Sequence, residues 1–137
     1  MKLRLIALAI ITAVLVVGCA GSPFQISRMD GDQLSSVSDD QLIRALGNEV
    51  YRNEAMFEEA RERGLVTRDE IRLIKAKQIR IGMSESALIA SWGQPPRINR
   101  SVGSYGVHKQ FVYRGSSTYL SRTYVYVGNG KVRGWQD

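Results

Sequence analysis

The change of hydrophobic period at Pro95 and Pro96 is the feature that most constrains the fold of this chain. Before these prolines, apolar residues recur at helical spacing; Leu88 and Trp92, four residues apart, share one helix face. After them, β-branched and aromatic residues recur at a period of two. Helices followed by strands predict an α+β fold in which N-terminal helices pack on an antiparallel sheet.

The strand-forming half predicts a three-stranded meander. Its strands are predicted at Lys109 to Arg114, Thr118 to Val127 and Lys131 to Gln136. Gly115-Ser116-Ser117 can turn the first pair, and Gly128-Asn129-Gly130 is a strong signal for a tight hairpin. Because short connections force antiparallel neighbours, the strands should pair in chain order. Arg97 to Val102 is a candidate fourth strand at an edge.

Capping boxes mark the predicted helices. Ser38-Asp39-Asp40-Gln41 opens a helix that should end at Gly47, and Thr67-Arg68-Asp69-Glu70 opens another that should continue toward Gln78. Between them we expect a helix from about Glu49 to Arg63, closed by Gly64, with Val50, Phe57 and Ala60 on its apolar face.

A turn precedes the last predicted helix. In the run Ile79-Arg80-Ile81-Gly82-Met83-Ser84, Gly82 should supply the turn, Met83 an apolar plug and Ser84 the N-cap. The helix should stop at Gly93, since Pro95 prevents its continuation. Structural roles are therefore predicted for Gly82, Met83, Trp92, Gly93 and Pro95, and for Gly130 in the later hairpin.

The first residues have the layout of a secretory signal peptide. Two basic residues, Lys2 and Arg4, precede an apolar run that ends in Val16-Val17-Gly18, directly before Cys19. This triplet matches a bacterial lipobox, which predicts cleavage after residue 18 and acylation of the Cys19 thiol. The alternatives are a plain signal peptide with an incidental Cys, or an uncleaved anchor. The run is short for a membrane span, which needs about 20 residues, and Cys19 is the only Cys.

The predicted organisation has four parts. Residues 1–18 form the signal peptide, 19–37 the lipidated Cys and a flexible tether, 38–66 an additional helical segment, and 67–137 an ααβββ domain. The tether is predicted because residues 20–37 are polar, with few apolar positions to bury. The residue after Cys19 is Ala20 and not Asp. Among sorted lipoproteins, a residue other than Asp at this position usually leads to export to the outer membrane. We therefore expect anchoring to its periplasmic face, or to the cell membrane if the source has a single membrane.

Charge is unevenly distributed along the chain. Residues 28–70 contain 11 acidic and 6 basic residues, whereas residues 71–137 contain 2 acidic and 11 basic residues. On a membrane-tethered protein, the basic half suggests an anionic partner such as phospholipid headgroups or an acidic protein face. A solvated basic surface that only aids solubility is the alternative. Because export would place the domain away from nucleic acid, we expect no nucleic-acid partner.

The candidate binding residues lie on or beside the predicted meander. They are Arg114, Arg122, Arg133, Tyr124 and Tyr126. Exposed aromatic residues beside arginines are typical of protein-binding surfaces. The alternative is that the aromatic residues pack against each other across strands on a solvated face.

The sequence indicates no catalytic residues. The only His, His108, lies near the possible nucleophiles Ser101 and Ser104, but no acidic residue is close to it in the chain. A metal site usually needs three or four ligands, and Cys19 is expected to carry lipid. Gly103 and Gly106 flank a turn with no helix signal after them, so they do not form a phosphate loop. We expect neither enzymatic activity nor a cofactor or metal.

The segment from about Glu70 to Gln136 resembles the SmpA/OmlA, or BamE-like, family of small outer-membrane lipoproteins. The resemblance is carried by four features: the run from Ile79 to Ser84, Leu88 and Gly93 with Pro95, Phe111-Val112-Tyr113 closing into Tyr124-Val125-Tyr126-Val127, and Gly130-Lys131-Val132. Residues 38–66 and the stretch from Asn99 to His108 depart from the family pattern.

This resemblance implies two helices on a three-stranded antiparallel sheet. It also implies a non-catalytic accessory role beside the machinery that inserts outer-membrane barrels, with binding to protein and to anionic phospholipid. Sheets of this shape also occur in secreted inhibitors, such as those of β-lactamases. The alternative function is therefore a protein-binding inhibitor or regulator of an envelope enzyme.

Overall fold

A computed structural model of the protein describes residues 21–115 and 121–137. Cys19 and the predicted signal peptide lie outside these residues, as do most of the predicted turn Gly115-Ser116-Ser117 and the predicted start of the next strand at Thr118. In the described residues the helices are α1 Pro23–Ser27, α2 Gly31–Ser35, α3 Asp39–Leu46, α4 Glu54–Glu62, α5 Arg68–Lys75 and α6 Glu85–Trp92. The strands are β1 Arg97–Gly103, β2 Gly106–Arg114, β3 Arg122–Gly128 and β4 Lys131–Gln136. The predicted α+β class is confirmed.

The strands form one open antiparallel sheet in the order β1-β2-β3-β4. The predicted meander is therefore confirmed, and the candidate edge strand is its fourth member. The hairpin between β3 and β4 works as its sequence suggests: Asn129 and Gly130 have φ values of 49° and 75°. This left-handed conformation at both turn residues matches the twist of the strands that they join.

Side-chain caps begin the helices where the sequence places them. The hydroxyl groups of Ser38, Thr67 and Ser84 each accept a backbone N–H three residues further on, and the first two belong to complete capping boxes. Helix α6 stops at Gly93, whose φ of 81° suits glycine. Gly82, with a φ of 87°, turns the chain before α6, and Met83 beside it is buried.

The predicted second helix begins later than expected. Helix α4 starts at Glu54, because the Asn53 side chain accepts the N–H of Met56 at 3.0 Å and caps it. Val50 does not lie on an apolar helix face; it is 80% exposed, in a turn where the Asn48 side chain accepts its N–H. Helix α5 also ends early, at Lys75, and the chain turns at Lys77 with a φ of 54°.

The prediction of a flexible tether is wrong for the described residues 21–37. Helices α1 and α2 lie in this segment, each opened by a complete capping box. Its three buried residues, Ile26, Leu34 and Val37, join the main core. The guanidinium group of Arg63 fastens the segment to α4 by donating to the carbonyl oxygens of Leu34 and Val37, at 2.7 and 2.6 Å. Each of these short helices combines a complete capping box with one buried apolar residue, so a polar composition did not prevent the segment from packing on the core.

One core joins the helices to one face of the sheet. From the sheet it contains Phe111, Tyr113, Val125, Val127 and Val132, and from the helices it includes Leu42, Leu46, Met56, Ile74 and Leu88. Trp92 is only half-buried. Its ring packs edge-on against Tyr113 at 5.3 Å between centroids, and its indole N–H donates to the Lys77 carbonyl at 3.0 Å. None of the helices within residues 21–115 and 121–137 is long and apolar enough to cross a membrane.

Candidate functional site

The two faces of the sheet differ in burial. Phe111, Tyr113 and Val125 point toward the helices and are buried. Because neighbouring strand residues point to opposite faces, the strand register assigns a second set to the other face, which we call the outer face. It comprises Arg97, Asn99, Ser101, His108, Gln110, Val112, Arg114, Arg122, Tyr124, Tyr126, Arg133 and Gln136. Most of these residues are exposed, so the outer face is open to a partner.

Arginines occupy both ends of the outer face. Arg114 and Arg122 are register partners across β2 and β3, and Arg97 lies on β1 opposite Val112. Arg133 reaches the same face through an irregularity in the β3–β4 pairing. Its Cγ and Nε atoms lie 3.2 Å from the position that a Cβ atom on Gly128 would occupy, and its Nε donates to the Gly128 carbonyl. The outer face therefore carries four guanidinium groups.

Acidic side chains are engaged elsewhere. Of the eight ion pairs between described residues, seven join residues of the helical half, and only the pair of Lys109 with Glu85 involves a strand. Lys109 points toward the helices. Within residues 21–115 and 121–137, neither Arg114 nor Arg122 has an ion-pair partner. Their charges are therefore available to an external anion.

Polar side chains form a row across the middle of the outer face. Arg97 Nε donates to Asn99 Oδ1 at 2.8 Å, and Asn99 Nδ2 donates to Gln110 Oε1 at 2.8 Å. Gln110 Nε2 then reaches the Tyr126 hydroxyl at 3.5 Å. Tyr126 is 40% exposed, and Tyr124 lies beside Val112 in the register. The row orders the side chains of three strands and presents flat polar and aromatic area to solvent.

Two shallow depressions lie at opposite ends of the sheet, each about 280 Å³ in volume. One is lined by Pro96, Arg97, Val112, Tyr113, Arg114 and Arg122. The other is lined by Asn99, Arg100, Ser101, His108, Lys109, Gln110 and Tyr126. Both have room for small groups such as a carboxylate or phosphate, and the first contains three arginines for such a group.

A larger cleft of about 680 Å³ lies between the helical layer and the sheet. Trp92, Trp135 and Tyr113 line it, together with Arg114 of β2 and polar residues of the helical half and of β3. Burial raises the pKa of Tyr113, an effect to which the charge of Glu85 adds, so its hydroxyl remains neutral. That hydroxyl donates to the Gly93 carbonyl at 3.1 Å.

Apart from Arg114, which also lines the first depression of the outer face, the charged groups of this cleft are satisfied within the protein. Lys77 pairs with Glu49, and Thr123 donates to the Asp137 carboxylate at 2.7 Å. Arg52 donates to the carbonyl of Ile74 at 3.2 Å. The cleft is therefore a weaker candidate for binding an anion than the outer face is.

The residues considered for catalysis come together only in part. Ser101 lies opposite His108 in the β1–β2 register, and both are exposed. Ser104 lies in the turn between these strands. In the described part of the chain, no group of three His, Cys, Asp or Glu side chains could hold a metal ion. The absence of catalysis stays a prediction.

The structure brings the sequence-predicted binding residues together. Arg114, Arg122, Arg133, Tyr124 and Tyr126 all lie on the outer face. Sequence reasoning missed Arg97, because its position on the outer face depends on the pairing of β1 with β2. The short turn between Gly103 and Gly106 was the available signal, because a hairpin there sets Arg97 against Val112. Cys19, the predicted lipidation site, lies outside the described residues.

Comparisons with protein-family models, curated proteins and solved structures give no match for this chain.

Proposed function

We propose that the protein is a lipid-anchored, non-catalytic binding module of the bacterial cell envelope, and that the outer face binds its partner. The pair Arg114 and Arg122 carries this proposal. Two exposed guanidinium groups face each other in register, without an ion-pair partner among the described residues. Like charges directly opposite on neighbouring strands are destabilising. An anionic partner offsets that cost.

The chemistry of the outer face defines the partner. Guanidinium groups bind carboxylate and phosphate through two parallel hydrogen bonds, which gives both affinity and orientation. Exposed Tyr126 and half-buried Tyr124 add aromatic area of the kind enriched at protein interfaces. An acidic protein surface or a layer of anionic phospholipid headgroups fits this pattern.

The predicted lipid anchor also supports a location in the cell envelope. Acyl chains on Cys19 would hold the domain on a bilayer, because two lipid chains anchor a protein far more firmly than one. The resemblance to the BamE-like family then favours a role beside the outer-membrane barrel-assembly complex, at the periplasmic face. In this role the protein stabilises or positions other envelope components and needs no cofactor.

Charge reversal on the outer face tests the proposal. The variant carries Arg114→Glu, Arg122→Glu and Arg133→Glu. The matched control carries Arg44→Glu, Arg68→Glu and Arg72→Glu, which make the same change of net charge at exposed positions of the helices. Each mature lipidated protein is captured from solubilised envelopes, and its co-purifying proteins are identified. We expect the wild type and the control to retain envelope partners, and the outer-face variant to lose them.

A vesicle experiment separates lipid from protein as the partner. The chain from residue 20, which lacks the acylated Cys, is mixed with neutral vesicles and with vesicles containing anionic phospholipid. Each Lys or Arg near an anionic surface contributes about 1 kcal/mol, so headgroup binding should be measurable and should weaken with salt. Partner capture that is unchanged by the outer-face variant would contradict the proposal. Capture of a soluble hydrolase through the outer face would instead favour the inhibitor alternative.

A further inference from the structure

We propose that the free edge of β1 is a second interaction surface, which binds an extended segment of a partner protein carrying an acidic residue between two apolar ones. This surface is distinct from the outer face. The proposal rests on the backbone edge and on Ile98, Arg100 and Val102, which point to the other side of the sheet.

The backbone of β1 is available for pairing. Among the described strands, β1 is hydrogen-bonded only to β2, and all seven of its residues are exposed. Between described residues, no backbone hydrogen bond outside this pairing involves residues 97–103. An edge strand of this kind presents a row of unpaired N–H and C=O groups, to which an extended peptide can add as a further strand.

The opposite edge of the sheet, at β4, is partly covered by hydrogen bonds to another segment of the chain. The N–H of Gly82 donates to the Val132 carbonyl, and the N–H of Val132 donates to the Met83 carbonyl, both at 2.8 Å. Ser84 adds an isolated bridge to Lys131. The backbone of residues 82–84 thus covers the start of β4, whereas no described segment pairs with the outer edge of β1.

Side chains along β1 give the edge a pattern. Ile98, Arg100 and Val102 occupy alternate positions and point to the side of the sheet on which the helices lie, since Ile98 is the register partner of core residue Phe111. The helical layer does not cover them: Ile98 is 43% and Val102 is 64% exposed. An added strand would place its own alternate side chains beside these three. Two apolar residues flanking an acidic one would match them.

The positive charge of Arg100 indicates which kind of segment would bind to the edge of β1. The register partner of Arg100 is Lys109, whose ammonium group is already engaged by Glu85 at 2.7 Å. Arg100 itself has no ion-pair partner within residues 21–115 and 121–137, so the edge offers one free cation between two apolar residues. A second copy of the chain fits poorly. The antiparallel pairing that sets Ile98 against Val102 also sets Arg100 against its own copy, which is unfavourable.

A labelled peptide tests this edge directly. The probe is a fluorescein-labelled Thr-Val-Thr-Glu-Thr-Val-Thr peptide with blocked ends, titrated with the mature lipidated protein in detergent and followed by fluorescence anisotropy. The same peptide with Lys in place of Glu is the matched probe. We expect the acidic peptide to bind and the Lys peptide to bind at least about tenfold more weakly, because like-charge contacts at an interface are costly.

Protein variants assign the binding to β1. Arg100→Glu should reverse the preference between the two peptides, and Ile98→Asp should abolish binding of both. Val50→Asp alters an exposed apolar residue in the turn before α4, outside β1, and should have no effect. Arg122→Glu should also leave peptide binding unchanged, which separates this surface from the outer face. All four positions are exposed, so the variants should fold, as circular dichroism will check.

Hydrogen exchange supplies a readout that a side-chain contact alone would not change. Addition of the acidic peptide should slow amide exchange in residues 97–103. Three results would overturn the proposal: no binding at about 1 mM protein, equal binding of the acidic peptide by the wild type and Arg100→Glu, or no added protection in β1. A concentration-dependent dimer that Ile98→Asp disrupts would assign the edge to a second copy instead.

Discussion

Arg114 and Arg122 are register partners near the end of the β2–β3 pair, and both are exposed on the outer face. Two positive charges at directly opposed positions lower the stability of a strand pair. Replacing either arginine would therefore increase the stability of the isolated domain. Their juxtaposition is explained if the surface binds an anion.

This arrangement predicts opposite effects on stability and binding. Arg122→Glu creates an attractive pair with Arg114, so the free energy of unfolding should rise by about 0.2–1 kcal/mol. Binding to anionic vesicles or to the envelope partner should fall. Chemical denaturation and vesicle flotation measure the two quantities, with Arg122→Gln as the neutral control. Loss of stability in step with loss of binding would show that Arg122 has a structural role instead.

The folded N-terminal segment predicts a second result. Ile26 is 1% exposed and packs in the main core, so Ile26→Ala should lower the free energy of unfolding by about 2–5 kcal/mol. Val50→Ala, at an exposed position, should change it by no more than about 0.5 kcal/mol. Equal denaturation midpoints for the two variants would mean that residues 21–37 are a tether after all.

Glu70 predicts a specific dependence of stability on pH. It is 6% exposed, and its two carboxylate oxygens accept the N–H groups of Ser84 at 2.7 Å and Thr67 at 2.9 Å. Burial acts to raise the pKa of Glu70, but these hydrogen bonds and the charge of Lys131 outweigh it and hold that pKa below its ordinary value.

The lowered pKa determines how the stability of the fold changes with pH. Ionised Glu70 stabilises the fold fully above its unfolded pKa of about 4.3, and this contribution is lost as the pH falls through the folded value. Glu70→Gln should cost about 1–3 kcal/mol at neutral pH, and the difference from wild type should shrink in acid. Urea denaturation at several pH values measures it, with exposed Glu62→Gln as the control. A difference that grows as the pH falls would contradict the assignment.

The lipobox predicts how the chain is processed. Cys19→Ser should abolish acylation and leave a precursor that keeps residues 1–18, because the cleavage that follows lipidation requires the Cys thiol. Mass spectrometry of the wild-type protein should find a mature chain that starts at residue 19 and carries lipid. A free thiol, or a start at any other residue, would rule out the anchor.

Local chemistry made much of the fold predictable. The caps at Ser38, Thr67 and Ser84 depend on side chains within three residues of the helix start, and the hairpin at Asn129 and Gly130 depends on its own backbone preferences. These signals survive in any tertiary context. Period-two alternation likewise placed Arg114, Arg122 and the two tyrosines on or beside the strands, but their common face became clear only from the observed pairing of Arg114 with Arg122.

Most errors occurred where tertiary contacts decide the outcome. The helices α1 and α2 are too short to show a period, and their partners are distant in the chain: Asn53 donates to the Ser27 carbonyl in α1, and Arg63 donates to the Leu34 carbonyl in α2. Arg97 joins the outer face only through the pairing of β1. Val50 is a different case, because the Asn53 cap that starts the helix after it is a local signal that sequence reasoning missed.

Photo-crosslinking in the native envelope tests the central claim most directly. A photoreactive amino acid replaces Tyr126, on the outer face, or Val50, on the helical half, in the otherwise wild-type lipidated chain. We predict that position 126 gives an adduct with an envelope protein or an anionic phospholipid, and that position 50 gives none. Adducts at position 50 with none at position 126 would contradict the account, because the partner would then contact the helical half instead of the sheet.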